Sequence, residues 1–309
     1  MNRKNNPLTG IHVIDGGLAS ELEYLGARID GPLWSAHVLE DEPAKVAEVH
    51  RAYIRAGAQC IATCSYQVSR MGYAEVGLSA GRADAAILRS VELARAVVNE
   101  TPGRRVLVAC SLGPYWAALH NCGEYHGNYD CSFANLIQFH RERIEVIAQT
   151  EGVQVPDLLA FETFPSLEEA HAVGEALAPW PDLRAWFSFS CRDDGHVSHG
   201  ERIEECAAVV ARFPQTVGVG VNCVPPKWIP SLIDHLRRGS EKPVLVYPNS
   251  GEGWDTTARC WIGTSDPAEF GTLATEWFAM GAQMIGGCCR TRPAHICEVA
   301  RAAERIFAG

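Results

Sequence analysis

The sequence predicts an α/β chain folded as one (β/α)8 TIM barrel, a single domain over residues 1–309. Three observations predict it. Eight short apolar stretches alternate with eight helical patterns. Such alternation implies a parallel sheet, and eight units imply a closed barrel. No Gly/Ser-rich linker or shift in composition divides the chain, and 309 residues suit one such barrel. The turn Asp15-Gly16-Gly17-Leu18 lacks the spacing G-x-G-x-x-G, which argues against the alternative of a doubly wound dinucleotide fold.

Ile11-His12-Val13-Ile14-Asp15 reads as the first strand, closed by Gly16-Gly17. A helix follows Pro43, with Val46, Val49, His50, Tyr53 and Ile54 on one face. The second strand is Gln59 to Thr63, followed by a helix from Ala83 to Val98. The third is Arg105 to Cys110, ending in Ser111-Leu112-Gly113-Pro114. Tyr115 to Cys131 has neither period and is rich in aromatic residues, which marks it as a functional loop. A helix from Phe133 to Thr150 leads to the fourth strand, Asp157 to Phe161, which stops at Glu162-Thr163. Ser166 with Glu169 is a capping box. Arg184 to Ser190 is the fifth strand and Arg202 to Phe213 its helix. Thr216 to Val221 is the sixth strand, ending at Asn222-Cys223, with a helix from Trp228 to Arg237. Val244 to Tyr247 is the seventh, then a helix from Pro267 to Met280. Gln283 to Gly286 is the eighth strand, and Pro293 to Phe307 the closing helix, with proline in its first turn.

Composition excludes several functions. The formal net charge is −10, whereas a phosphate-backbone binder is normally basic, so no nucleic-acid partner is expected. The twelve cysteines lie scattered through apolar strands and helices rather than as a disulfide framework, which suits a reducing compartment. No apolar segment follows Arg3 and Lys4, so no signal peptide is expected. No run of about 18 apolar residues occurs, so no membrane span is expected. The expectation is a soluble cytoplasmic protein. No long apolar helix face calls for an obligate dimer, so it is expected to be a monomer.

The chemistry centres on two strand ends, Gly220-Val221-Asn222-Cys223 and Gly286-Gly287-Cys288-Cys289. Thiolates are soft ligands for zinc, and three protein ligands with one open position is its catalytic arrangement. Cys223, Cys288 and Cys289 are therefore the candidate zinc ligands, with the fourth position left for a substrate sulfur. The competing readings of Cys288-Cys289 are two buried small residues or a strained vicinal disulfide. Cys60, Cys64, Cys110, Cys122, Cys131, Cys191, Cys206, Cys260 and Cys297 read as packing or surface residues.

A barrel carries its active site at the C-terminal ends of its strands. There the sequence places Asp15, Thr63, Ser65, Glu162, Cys223, Asn249, Cys288 and Cys289. Asp15 also fits a simple Asx turn, Glu162 a hydrogen bond to a neighbouring loop, and Asn222 the orientation of its own turn.

These residues resemble the zinc-dependent homocysteine S-methyltransferases. Gly-Val-Asn-Cys223 joined to Gly-Gly-Cys288-Cys289 is specific in combination. Asp15 to Glu23, Phe161-Glu162-Thr163 and Tyr247-Pro248-Asn249-Ser250-Gly251-Glu252 extend the likeness over nearly the whole chain. Gly123 to Tyr129, after Ser111-Leu112-Gly113-Pro114-Tyr115, is most similar to the subgroup that uses S-methylmethionine. Cys64, Cys122 and Cys131 depart from the pattern. The resemblance implies zinc on Cys223, Cys288 and Cys289. It implies that Glu162 and Asp15, the latter through its main chain, take the homocysteine ammonium, and that Gly16 and Ser65 take the carboxylate.

The chemistry is consistent with that implication. A free thiol of pKa near 8.5 is only a few per cent ionised at neutral pH, and zinc coordination deprotonates it. Three thiolates leave the Zn²⁺ site anionic, so an added homocysteine sulfur stays nucleophilic. A sulfonium donor needs no acid to release its thioether, and aromatic faces attract it; Trp116, Tyr125 and Tyr129 are candidates. The expected reaction is methyl transfer to homocysteine, giving methionine. S-methylmethionine is the favoured donor and S-adenosylmethionine the second. Within the same family, selenocysteine as acceptor or betaine as donor are alternatives. More distant ones are a thiol redox protein using Cys288 and Cys289, and a non-catalytic zinc-binding barrel. The first lacks a C-x-x-C; the second leaves the rim carboxylates without a role.

Overall fold

The computed structural model describes residues 6–29, 33–119, 125–128, 130–255, 260–263 and 265–307. Cys122, Gly123, Glu124 and Tyr129 lie outside them. Seven parallel strands form one sheet: β1 (Cys60–Ala62), β2 (Leu107–Leu112), β3 (Leu158–Phe164), β4 (Ala185–Phe189), β5 (Thr216–Asn222), β6 (Val244–Tyr247) and β9 (Met284–Ile285), in that order. Strands β7 (Gly253–Asp255) and β8 (Cys260–Ile262) make a separate antiparallel pair. The second to eighth expected strands all appear, the seventh with the expected bounds and the others displaced by at most three residues at an end.

The first expected strand is reduced to two bridging residues. Val13 pairs with Ile285 of β9 and Ile14 with Cys60 of β1, so this short segment touches both edge strands of the sheet. Ile14 N–H donates to Ile285 O at 2.9 Å, and Asp15 N–H to Cys60 O at 3.0 Å. It does not lengthen because a side chain takes its remaining donors. Gln59 Oε1 accepts from the N–H groups of His12 and Val13 at 2.7 and 3.2 Å.

Alternation along the strands sorts the core into two layers. Ile14, Cys60, Leu107, Ala109, Leu158, Ala160, Trp186, Leu245, Tyr247 and Met284 form an inner cluster. Ile61, Val108, Cys110, Leu159, Phe161, Phe187, Val219, Val221, Val246 and Ile285 pack outward against the helices. The same period of two continues to the strand ends. It sets Glu162 in step with Leu158 and Ala160, Ser188 with Trp186, and Asn222 with Gly218 and Gly220. Gly220 permits this closeness: a Cβ there would lie 2.1 Å from Leu245 O.

The expected helices are present as α3 (Pro43–Ala56), α5 (Ala80–Asn99), α6 (Phe133–Ala148), α7 (Leu167–Leu177), α8 (Ile203–Val210), α9 (Ile229–Gly239), α10 (Pro267–Met280) and α11 (Pro293–Phe307). Three more appear: α1 (Leu18–Tyr24), α2 (Ser35–Asp41) and α4 (Arg70–Glu75). Each is seven residues or fewer, too short for a helical period to stand out. The capping box at α7 is half formed. Ser166 Oγ accepts from Glu169 N–H at 3.2 Å, while the Glu169 carboxylate turns inward to His140 at 2.9 Å.

Candidate metal centre and substrate pocket

The end of β5 and the turn after β9 meet at one rim. Cys223 follows β5 with φ 53°, a left-handed conformation that a non-glycine residue holds only when its surroundings impose it. Its N–H donates to Tyr247 O at 3.3 Å. Cys288 N–H donates to Pro248 O at 2.8 Å, and Cys288 O accepts from Thr291 Oγ1 at 2.6 Å. Cys289 O accepts from Ser250 N–H at 3.1 Å. Two glycines let this turn pack closely against its neighbours. A Cβ on Gly17 would lie 2.3 Å from Cys288 O, and one on Gly287 2.2 Å from Thr291 Oγ1.

The turn brings Cys223, Cys288 and Cys289 together. Their Sγ atoms all lie within 4.8 Å of one another, and each residue is half-buried. Cys223 and Cys289 are 3.9 Å apart at sulfur, close to the ~3.8 Å edge of a tetrahedron with Zn–S bonds of about 2.3 Å. Cys223 and Cys288 are joined as a disulfide across 65 residues. Sequence reasoning considered a disulfide only between the adjacent pair. Fold proximity, not chain proximity, chose the partner, and a metal requires this pair reduced. The donor set, three soft sulfurs with half-open surroundings, fits a zinc-class ion. Of the other cysteines, Cys60, Cys64, Cys110 and Cys206 are buried and free; Cys131, Cys191 and Cys297 are partly exposed and free.

Two buried carboxylates, Asp15 and Glu162, stand at the ends of neighbouring segments. Asp15 Oδ2 accepts from Ala62 N–H at 2.9 Å, and Asp15 O from Gly287 N–H at 2.9 Å, so this residue supports the cysteine turn directly. Burial, and secondly the charge of Glu162, push its carboxyl well above the ordinary range. Burial also raises Glu162 to about 7, against hydrogen bonds from Ser111 and Tyr247 that lower it. The Ser111 hydroxyl donates to Glu162 Oε2 in a short contact.

Of the other expected residues, Gly16 sits against the Tyr53 ring, where a Cβ would meet it at 2.8 Å. Ser65 is fully buried. Its hydroxyl lies 2.6 Å from Thr63 Oγ1 and donates to Ser111 O at 2.8 Å, so its side chain is engaged within the wall. Asn249 Oδ1 is buried with no partner among the described residues.

Sequence reasoning named Ser111, Thr163 and Tyr247 only within longer motifs and gave them no role of their own, and gave Asn222 only a local one. The period of two along β2, β5 and β6 was the available signal for Ser111, Asn222 and Tyr247; Thr163 carries none, because it is out of step with Glu162. In the aromatic loop, Trp116 meets His126 edge-on at 5.1 Å and Tyr125 is 46% exposed.

Residues 12–303 match the family model described as homocysteine S-methyltransferase. The homocysteine S-methyltransferase of Escherichia coli (strain K12) is 41% identical over 305 residues, 95% of this chain and 97% of that protein. The crystal structure of the homocysteine methyltransferase MmuM from Escherichia coli in its oxidised form superposes with a TM-score of 0.85 at 40% identity. It covers 96% of this chain and 99% of that one. The metallated form of the same protein gives 0.84 at 39% identity, with the same coverage.

Proposed function

The chain belongs to the homocysteine S-methyltransferase family, and on that premise we propose that it moves a methyl group from a sulfonium to homocysteine at a zinc held by Cys223, Cys288 and Cys289. S-methylmethionine is the favoured donor and S-adenosylmethionine the second. The observation that carries the reading is the convergence of three sulfurs within 4.8 Å of one another on a chain whose Asp15 and Glu162 carboxylates are buried. Zinc, when bound, supplies the positive charge that keeps the acceptor sulfur ionised at neutral pH.

The chain's own residues do the rest. Glu162 takes the homocysteine ammonium, which would restore the carboxylate charge that burial opposes. Asp15 contributes through its main chain, and Gly16 with the main chain of Ser65 receives the carboxylate. These contacts fix the acceptor sulfur, and holding two reactants in line supplies the largest share of such a rate enhancement. The methyl carbon forms its bond to the acceptor sulfur as its bond to the sulfonium breaks, and the released electron pair leaves on a neutral thioether. Trp116 and Tyr125 are the rings proposed to face the cationic donor.

The chain is read as one (β/α)8 domain. The bridges of Val13 and Ile14 to both edge strands support closure of the ring. No described helix is long and apolar enough to cross a membrane. A monomer in the cytoplasm is proposed, from the dispersed free cysteines and the absence of an apolar helix stripe in the sequence.

Methyl transfer measured with S-methylmethionine, S-adenosylmethionine and betaine in parallel tests the donor. S-methylmethionine should give the highest kcat/KM, and preference for betaine would overturn the reading. Metal analysis of protein purified under reductant should find about one zinc per chain. Cys288→Ser should lose metal and activity together.

A further inference from the structure

Asn222 is the last residue of β5, 2% exposed, and contacts both halves of the site. Its Oδ1 accepts from Thr163 N–H at 2.8 Å and from Ser188 Oγ at 2.7 Å. A main-chain N–H can only donate, so this bond fixes which end of the amide is oxygen. The Nδ2 group therefore points the other way. It donates to Thr163 Oγ1 at 2.7 Å and lies 4.0 Å from Cys288 Sγ. One amide thus ties β3 and β4 to a candidate metal ligand 66 residues away.

Thr163 has φ 63° and follows Glu162 directly; Cys223 has φ 53° and follows Asn222 directly. Two left-handed non-glycine residues, each next to a functional side chain, persist only where their surroundings over-determine them. The Asn222 amide bonds Thr163 through both its main chain and its hydroxyl.

We propose that Asn222 is a positioning residue of the metal centre, its amide N–H directed at Cys288 Sγ and held there by the turn at Thr163. This rests on the zinc reading above. A thiolate that accepts a hydrogen bond carries less charge toward a metal, and an anionic cluster of three thiolates is stabilised by a fixed donor. The same bonds register Glu162 against Cys288, so the ammonium-binding and sulfur-binding halves keep one geometry.

The test is N222D in the reduced full-length chain. It preserves the shape and the acceptor bonds from Thr163 and Ser188, removes the N–H toward Cys288, and leaves the Thr163 hydroxyl to donate to the new carboxylate where it had accepted from the amide. Zinc affinity is read by competition with a chromogenic chelator, and the sulfur environment by the thiolate-to-cobalt charge-transfer band of the Co²⁺-loaded protein. N222D should bind zinc at least about tenfold more weakly, the usual loss on removing an outer partner of a ligand. Its charge-transfer band should move to longer wavelength. Ser188→Ala removes a neighbouring bond to the same amide without touching Cys288, and should bind zinc within about twofold of the parent protein. Asn222→Ser, whose hydroxyl is too short to reach Cys288, serves if N222D does not fold, with the same expectations. Unchanged zinc affinity and band position in N222D, or an equal loss in Ser188→Ala, would overturn the proposal. A parent protein that binds no zinc would overturn the metal reading itself.

Discussion

Burial gives Glu162 its use in the proposed site and also strains the ligand-free protein. Its carboxyl rises from an ordinary 4.5 to about 7. The folded state therefore binds more protons than the unfolded chain across that window, and stability falls as pH rises from 4.5 to 7. Above 7 the penalty is constant, at up to about 3 kcal/mol. Glu162→Gln should raise the urea midpoint at pH 8 without substrate, and the gain should shrink toward pH 5. Calorimetry should find homocysteine binding weaker at least tenfold. A variant that gains no stability and binds homocysteine normally would remove Glu162 from the site. His50 on α3 shows the opposite slope. It is fully buried, neither ring nitrogen finds a partner among the described residues, and burial lowers it to about 4. Here the unfolded chain binds more protons between 4 and 6.5, so stability falls on acidification. His50→Leu should flatten that acid limb, with a gain of about 2 kcal/mol at pH 5 in denaturant titrations. An unaltered limb would show that another group sets it.

At the scale of elements, α6 and α7 fasten the loop that leaves β2. Glu169 accepts from Tyr115 N–H at 2.5 Å and bonds His140 Nε2 at 2.9 Å, and Arg143 bonds His140 Nδ1 and donates to Gly113 O, each at 2.8 Å. Burial lowers His140 to about 4, so a neutral ring links a buried arginine to a buried glutamate. Removing one partner leaves the others buried and uncompensated. Glu169→Ala should destabilise by about 3–5 kcal/mol and expose the chain after Gly113 to trypsin or chymotrypsin before global unfolding. Protection equal to the parent's would mean the loop is held otherwise. This network was not legible in the sequence. Ser166 and Glu169 carry a capping-box pattern, and only the fold shows Glu169 reaching 29 residues back to His140. The strands were legible because apolar runs bounded by turn residues recur eight times in the sequence, and seven of these runs are strands of the sheet. Helices α1, α2 and α4 were not, because one or two turns show no period. The three converging sulfurs were legible from two strand ends of like form, and the inward residues beside them only in part. Ser111 and Tyr247 look like any strand-end residue until alternation and register place them beside Glu162, and Thr163, out of step with Glu162, reaches Asn222 only through its left-handed turn.

At the scale of the whole molecule, Cys223, Cys288 and Cys289 fasten strand ends 65 residues apart in one of two exclusive ways. Joined, Cys223 and Cys288 close a loop whose constraint on the unfolded chain is worth about 4 kcal/mol in the chain-entropy model. Reduced, they can hold metal, and zinc at about a hundred times its dissociation constant adds about 2.7 kcal/mol to the folded state. Either state fixes β5 against β9 across β6. The reduced, metal-free chain has neither constraint and should be the least stable of the three. Thermal melts should therefore order as follows. Oxidised protein should melt high and ignore added zinc. Reductant with a chelator should lower the midpoint by several degrees. Reductant with zinc should recover most of that loss, and the recovery should disappear in Cys288→Ser. A zinc response that survives in the oxidised protein, or in Cys288→Ser, would place the ion elsewhere on the chain. Absence of any zinc response in the reduced protein would leave the three sulfurs as a redox pair with a neighbour, and the acceptor thiol without its source of charge.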